Sequence, residues 1–130
     1  MSYSILVVDD STIVRTMVRK ALGMAGLDIG QVHEACDGRE ALDVLGHTWV
    51  DVVFADVNMP NMTGLELVRA MRGTPALAAT PVVIVSSERS QARIDELRAN
   101  GIQAYVKKPF RPEHFREVID GLLGPQRREA

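Results

Sequence analysis

Ser4-Ile5-Leu6-Val7-Val8-Asp9-Asp10-Ser11 and Val50-Asp51-Val52-Val53-Phe54-Ala55-Asp56 are built alike: a short apolar run that stops on an acid. Runs this short, alternating along the chain with helix-like segments, read as strands of an α/β fold with a parallel sheet. If the two runs are neighbours, their carboxyl ends share the rim where open α/β sheets bind ligands. Two further runs bring more chemistry to that rim. Pro81-Val82-Val83-Ile84-Val85 ends in Ser86-Ser87, and Ala104-Tyr105-Val106 ends in Lys107-Lys108-Pro109. Three carboxylates, a hydroxyl and an ammonium are therefore expected to converge.

Carboxylates gathered without a counterion repel one another, and a bound divalent cation removes the conflict. The ligands are all oxygens, with no His or Cys nearby in sequence, which favours Mg²⁺, with Mn²⁺ as the alternative, over zinc or copper. A pair such as Asp10 and Asp56 suffices for Mg²⁺, which keeps several waters and takes up phosphate oxygens. Such a site suits phosphoryl transfer, with Lys108 and Ser86 orienting the outer oxygens. Asp56 stands alone on its strand end, whereas Asp9 and Asp10 read as a metal pair. Asp56 is thus the expected nucleophile, giving an aspartyl phosphate. Any single Asp after a strand is commonly a turn former or helix cap, and Asp10 or Ser11 suits the cap of the next helix. The joint pattern carries the reading.

Between the strands lie helical patterns. The first, about Thr12 to Met24, places Val14, Met17, Val18, Ala21 and Leu22 on one face and stops at Gly26. A short strand is expected from Val32 to Cys36, followed by an Asp37 cap with Glu40 three residues on, opening a helix with Ala41, Leu42 and Leu45 inward. Thr63-Gly64-Leu65-Glu66 is a capping box for a third helix through Leu67, Val68 and Met71, ending near Gly73. Pro75 and Pro81 fence a loop. Ser90 opens a helix with Ile94 and Leu97 inward that closes at Asn100-Gly101, and Pro112 suits the first turn of a last helix with Phe115, Val118, Ile119 and Leu122 inward. Five β-α units result, with no internal repeat.

The chain has 130 residues, 46% of them hydrophobic, and a net charge of −2, which suits one domain with a single core and argues against disorder or nucleic-acid binding by bulk charge. The expected division is a domain over 1–124 and a short polar tail over 125–130. The lone Cys36 fits a reducing compartment and reads as a small buried residue; Trp49 reads as packing. His33, His47 and His114 lack metal spacing. No run is long enough to cross a bilayer and none reads as a secretory signal, so a cytoplasmic protein without membrane insertion is expected.

With the rim assembled, the chain resembles the receiver domain of bacterial two-component response regulators, most closely its stand-alone chemotaxis members. The likeness rests on Val7-Val8-Asp9-Asp10-Ser11, Asp56-Val57-Asn58-Met59-Pro60 with Thr63-Gly64, Val85-Ser86-Ser87-Glu88 and Tyr105-Val106-Lys107-Lys108-Pro109-Phe110, and spans nearly the whole chain. It implies a flavodoxin-like, five-stranded parallel sheet in order 2-1-3-4-5 with helices on both faces. It implies that Asp56 accepts a phosphoryl group from a histidine kinase, that Asp9, Asp10, Asp56 and the Asn58 carbonyl hold Mg²⁺, and that Lys108 pairs with phosphoryl oxygens. It further implies a cis Lys108-Pro109 bond, and Ser86 and Tyr105 as the switch pair. Output would come from protein binding on the face of the fourth helix, last strand and last helix, the flagellar motor switch being one candidate partner. No DNA-binding or catalytic role is expected beyond its own phosphorylation and dephosphorylation.

Ser87 departs from the Ala or Gly more usual there, and bears on the room beside the phosphoryl group. Asn58 and Glu88 match the residues that flank the site and are expected to border the path of the hydrolytic water. Within the family, a relay or phosphate sink is the alternative. Outside it, a Mg²⁺-dependent aspartate-nucleophile phosphatase would need Asp-x-Asp where this chain has Asp9-Asp10-Ser11. A flavin carrier would need an uncharged loop there. A binding module that never uses phosphate leaves the acid, hydroxyl and lysine set without a role.

Overall fold

A computed structural model describes residues 2–124. Five strands, β1 (Tyr3–Val8), β2 (Ile29–Ala35), β3 (Val52–Ala55), β4 (Val82–Ser86) and β5 (Ala104–Lys107), alternate with five helices, α1 (Thr12–Gly23), α2 (Gly38–Leu45), α3 (Gly64–Arg72), α4 (Gln91–Ala99) and α5 (Pro112–Leu123). The sheet order is β2-β1-β3-β4-β5, and every pairing is parallel. This is the expected doubly wound α/β fold.

Alternation along each central strand sorts side chains to two faces. Leu6, Val8, Val53, Ala55, Val82 and Ile84 point to one side and pack with residues of α2, α3 and α4, among them Ala41, Leu67, Met71 and Leu97. Ile5, Val7, Val52, Phe54, Val83 and Val85 point to the other, against Val18 and Leu22 of α1 and Phe115 and Ile119 of α5. Phe115 anchors the second layer, edge-on to Phe54 at 5.3 Å and to Phe110 at 5.0 Å between ring centroids. With both faces covered, the three middle strands tolerate no polar side chain until their ends, where Asp9, Asp56 and Ser86 stand.

Helix starts follow the expected chemistry. Ser11, not Asp10, caps α1, accepting from the Val14 amide, and Ser90 caps α4. Thr63 and Glu66 form the reciprocal box at α3, and Pro112 sits in the first turn of α5. At α2 the Asp37 cap is present, but Glu40 reaches one residue further than a box requires, to the Cys36 amide and thiol at 3.0 and 3.3 Å. That bond takes Cys36 out of β2 and leaves it partly exposed rather than buried, with the nearby Glu40 carboxylate raising the thiol pKa.

Other expectations need correction. β2 begins at Ile29, not Val32, because parallel pairing with β1 (Tyr3 opposite Ile29) recruits Gly30 and Gln31, which carry no apolar signal. The loop after α3 holds a turn of 3₁₀ helix, Pro75–Leu77. Met17 is 53% exposed, not core, since α1 buries only Val18, Ala21 and Leu22 fully. Trp49 is 74% exposed and precedes β3, at the opposite end of that strand from Asp56, so it is not packing. Gly124 follows α5 with φ +78°, and the expected tail, 125–130, lies outside the described residues. No helix among the described residues is long and apolar enough to cross a membrane.

Candidate functional site

Parallel register brings the ends of β1 and β3 together: Val8 lies opposite Ala55, and the next residues on each strand are Asp9 and Asp56. Among the described residues, the one group of three acids able to hold a metal ion is Asp9, Asp10 and Asp56, with one carboxylate oxygen from each within 4.8 Å of the others. Asp9 is buried, Asp56 half-buried and Asp10 exposed, so the group opens to solvent through Asp10.

Asp9 is held from several sides. Its amide donates to the Ala35 carbonyl at 3.0 Å, one carboxylate oxygen accepts the Ser11 amide at 2.9 Å, and the other lies 3.5 Å from Lys108 Nζ. Lys108 Nζ also lies 3.8 Å from Asp56. Three carboxylates share this one ammonium, which reaches two of them, leaving a formal surplus of two negative charges on an all-oxygen donor set. A divalent cation matches both the surplus and the donors, and Mg²⁺ fits this open arrangement.

The Asp56 pKa is raised above the ordinary carboxylate value, chiefly by burial, with the negative Asp9 adding to it. Lys108, the Val57 amide (2.7 Å to Asp56 Oδ1) and the Ser86 hydroxyl oppose the shift. Burial without full pairing is the environment in which a carboxylate can be tuned for chemistry.

Ser86 ends β4 and is 3% exposed; its hydroxyl accepts the Glu88 amide at 3.2 Å. The Lys108 amide donates to the Ser86 carbonyl at 2.9 Å, so β4 and β5 deliver hydroxyl and ammonium as one unit. The Lys108-Pro109 peptide bond is cis. Tyr105 is half-buried and donates its hydroxyl to the Glu88 carbonyl at 2.7 Å, tying β5 to the loop after Ser86; burial raises its pKa.

Asn58 is exposed on the loop after β3, and Ser87 faces a cleft of about 460 Å³ with Val14, Lys108 and Phe110. Glu88 turns toward α4, where its carboxylate accepts the Ser90 amide at 3.0 Å and pairs with Arg93 at 3.4 Å. The structure thus gathers Asp9, Asp10, Asp56 and Lys108 at the rim and ties Ser86 to Tyr105 through the Glu88 backbone. Glu88's side chain is engaged at the start of α4.

Contacts beyond the sequence reading also support the rim. Asn61, with φ +66°, donates to Asp37 at 2.7 Å and pins the loop after β3 to the start of α2. Arg15 of α1 donates to the Asp9 carbonyl at 2.6 Å. Neither has a local sequence signal: Asn61 lies 24 residues from Asp37, and Arg15 falls outside the apolar stripe of its helix.

A family model described as the response regulator receiver domain matches residues 5–120. The chain is 36% identical over 121 residues to a protein named chemotaxis protein CheY homolog from Campylobacter jejuni, with 92% of each chain covered. It is 36% identical over 119 residues to the chemotaxis protein CheY of Pseudomonas aeruginosa, covering 92% of this chain and 94% of that one. The solved structure of chemotaxis response regulator CheY4 from Vibrio cholerae aligns at a TM-score of 0.83 with 37% identity, covering 94% of this chain and 99% of that one.

Proposed function

The chain belongs to the response regulator receiver domain family and is CheY-like within it, and from that premise we propose that it accepts a phosphoryl group on Asp56 from a histidine kinase and signals by binding another protein. The observation that carries this reading is the gathering of Asp9, Asp10 and Asp56 oxygens within 4.8 Å at the strand ends, with Lys108 facing two of them. Asp9, Asp10, Asp56 and the Asn58 carbonyl would hold Mg²⁺, or Mn²⁺ in its place. When bound, the ion supplies the charge that lets phosphoryl oxygens approach the acids.

Asp56 supplies the nucleophile. One carboxylate oxygen attacks phosphorus of a phosphohistidine, the P–N bond breaks with its electron pair passing to the imidazole, and that imidazole takes a proton from water. The new O–P bond makes a mixed anhydride on Asp56. Lys108 pairs with an outer phosphoryl oxygen, and the Ser86 hydroxyl grasps another. Moving that hydroxyl disturbs its bond to the Glu88 amide, and Tyr105 holds the same loop by the Glu88 carbonyl. The modified site thereby biases the face formed by α4, β5 and α5, to the extent that the phosphoryl group binds one loop arrangement better than the other. Names of the chemotaxis relatives favour a chemotaxis partner, with the flagellar motor switch as the first one to test.

Incubation with acetyl phosphate or phosphoramidate and Mg²⁺, followed by intact mass, tests the reading. The expected result is a gain of one phosphoryl group that Asp56→Asn abolishes. No gain, or a gain that survives the substitution, overturns it. Capture on a flagellar switch peptide only after phosphorylation supports the motor role, whereas equal capture in both states points to a relay or phosphate sink.

A further inference from the structure

Arg15 sits one turn into α1, behind the acids rather than among them. Its Nη1 donates to the Asp9 backbone carbonyl at 2.6 Å, its Nε pairs with Glu34 of β2 at 2.8 Å, and its Nη2 reaches the Thr12 hydroxyl at 3.3 Å. Glu34 also pairs with Arg19 at 3.3 Å, and Arg19 is anchored to the Val32 carbonyl at 2.9 Å. The Arg15 side chain is only 15% exposed, so this fork is packed rather than loose on the surface.

The carbonyl that Arg15 holds belongs to the peptide joining Asp9 to Asp10. Fixing that peptide plane fixes the direction in which Asp10 leaves the strand. Asp9 is already secured by the Ala35 and Ser11 contacts, whereas among the described residues no hydrogen bond or ion pair holds the exposed Asp10 carboxylate. We propose that Arg15 is a positioning residue for cation binding: through the Asp9–Asp10 peptide it aims both carboxylates at the ion, with Glu34 holding the guanidinium in place. The inference rests on the Mg²⁺ site of the proposed function and assigns Arg15 no contact with the ion.

The sign of the effect separates this role from simple electrostatics. Arg15 is a positive charge beside a cation site, so deleting it should, by Coulomb repulsion alone, tighten Mg²⁺ binding. A positioning role predicts weakening. Supporting contacts outside the ligand shell are typically worth about tenfold to a hundredfold in metal affinity. Lysine is also informative: it keeps the charge but cannot serve Glu34 and the Asp9 carbonyl with one planar fork.

Calorimetric Mg²⁺ titration of the full chain, with the acetyl phosphate reaction followed across Mg²⁺ concentrations, makes the test. Arg15→Ala and Arg15→Lys are both expected to weaken Mg²⁺ binding about tenfold or more. Saturating Mg²⁺ should restore the phosphorylation rate, so the loss falls on the Mg²⁺ requirement and not on the chemical step. Glu34→Asp, which keeps the negative charge but shortens the reach to the Arg15 guanidinium, is expected to weaken binding in the same direction but less, an effect that loss of charge does not explain. It carries the test if the Arg15 variants do not melt cooperatively. Unchanged or tighter binding in a folded Arg15→Ala, wild-type affinity in Arg15→Lys, or unchanged binding in Glu34→Asp overturns the positioning role. Absence of Mg²⁺ binding by the wild-type chain overturns instead the cation site beneath it.

Discussion

Asp56 is held at odds with its own charge. Because burial raises its pKa in the folded protein, the native state binds more protons than the unfolded chain between the unfolded and folded pKa values. Its contribution is therefore favourable below the unfolded pKa and is lost as pH rises through the folded pKa, so the ionised carboxylate opposes folding at neutral pH. Asp56→Asn is expected to raise the melting temperature at neutral pH in a chelating buffer, with the gain shrinking at mildly acidic pH. Melts of the two proteins at both pH values check this; a gain that grows on acidification would contradict it. At this scale the sequence was informative about chemistry and silent about support. Asp9, Asp10, Asp56, Ser86 and Lys108 were visible because polar residues interrupt apolar runs, a local signal. Arg15, Asn61 and the turn of Glu88 toward α4 depend on partners distant in the chain or on a choice between several available donors.

The step from β3 to α3 shows how an element boundary can constrain the backbone of a residue eight positions earlier in the chain. Gly64 begins α3 where a Cβ would run into the Asp56 carbonyl oxygen and lie 3.1 Å from the Val57 Cα. Its own amide donates to the Val57 carbonyl at 2.8 Å, so the helix start and the acceptor residue pack backbone to backbone. Gly64→Ala is expected to cost about 1–3 kcal/mol as overpacking against backbone that cannot give way, and to slow phosphorylation by displacing Asp56. Denaturant unfolding and the acetyl phosphate rate read the two effects; wild-type values for both would refute the contact. The Thr63-Glu66 box announced this helix in sequence, but the reason for glycine beside it became visible only with the loop in place. Helix starts were legible because caps are local. The start of β2 and the exposure of Met17 and Trp49 were not, because partner strands and neighbouring helices decide them.

Across the whole molecule, one sheet buried on two sides forces the polar residues of its three middle strands to their ends, and parallel order sends the informative ends to the same rim. That is why the fold and most of the site could be read together: the apolar runs that specify the sheet also fix where the acids must emerge. Among the described residues the opposite rim, with exposed Trp49, gathers no comparable group of three acids. The central claim is that Asp56, rather than either member of the Asp9-Asp10 pair, forms the mixed anhydride. Borohydride converts an acyl phosphate on aspartate to homoserine, so reduction after acetyl phosphate and Mg²⁺ treatment, followed by peptide mass mapping, locates the acceptor. Homoserine at position 56 is predicted; homoserine at position 9 or 10, or none at all from protein that has gained a phosphoryl group, would contradict it.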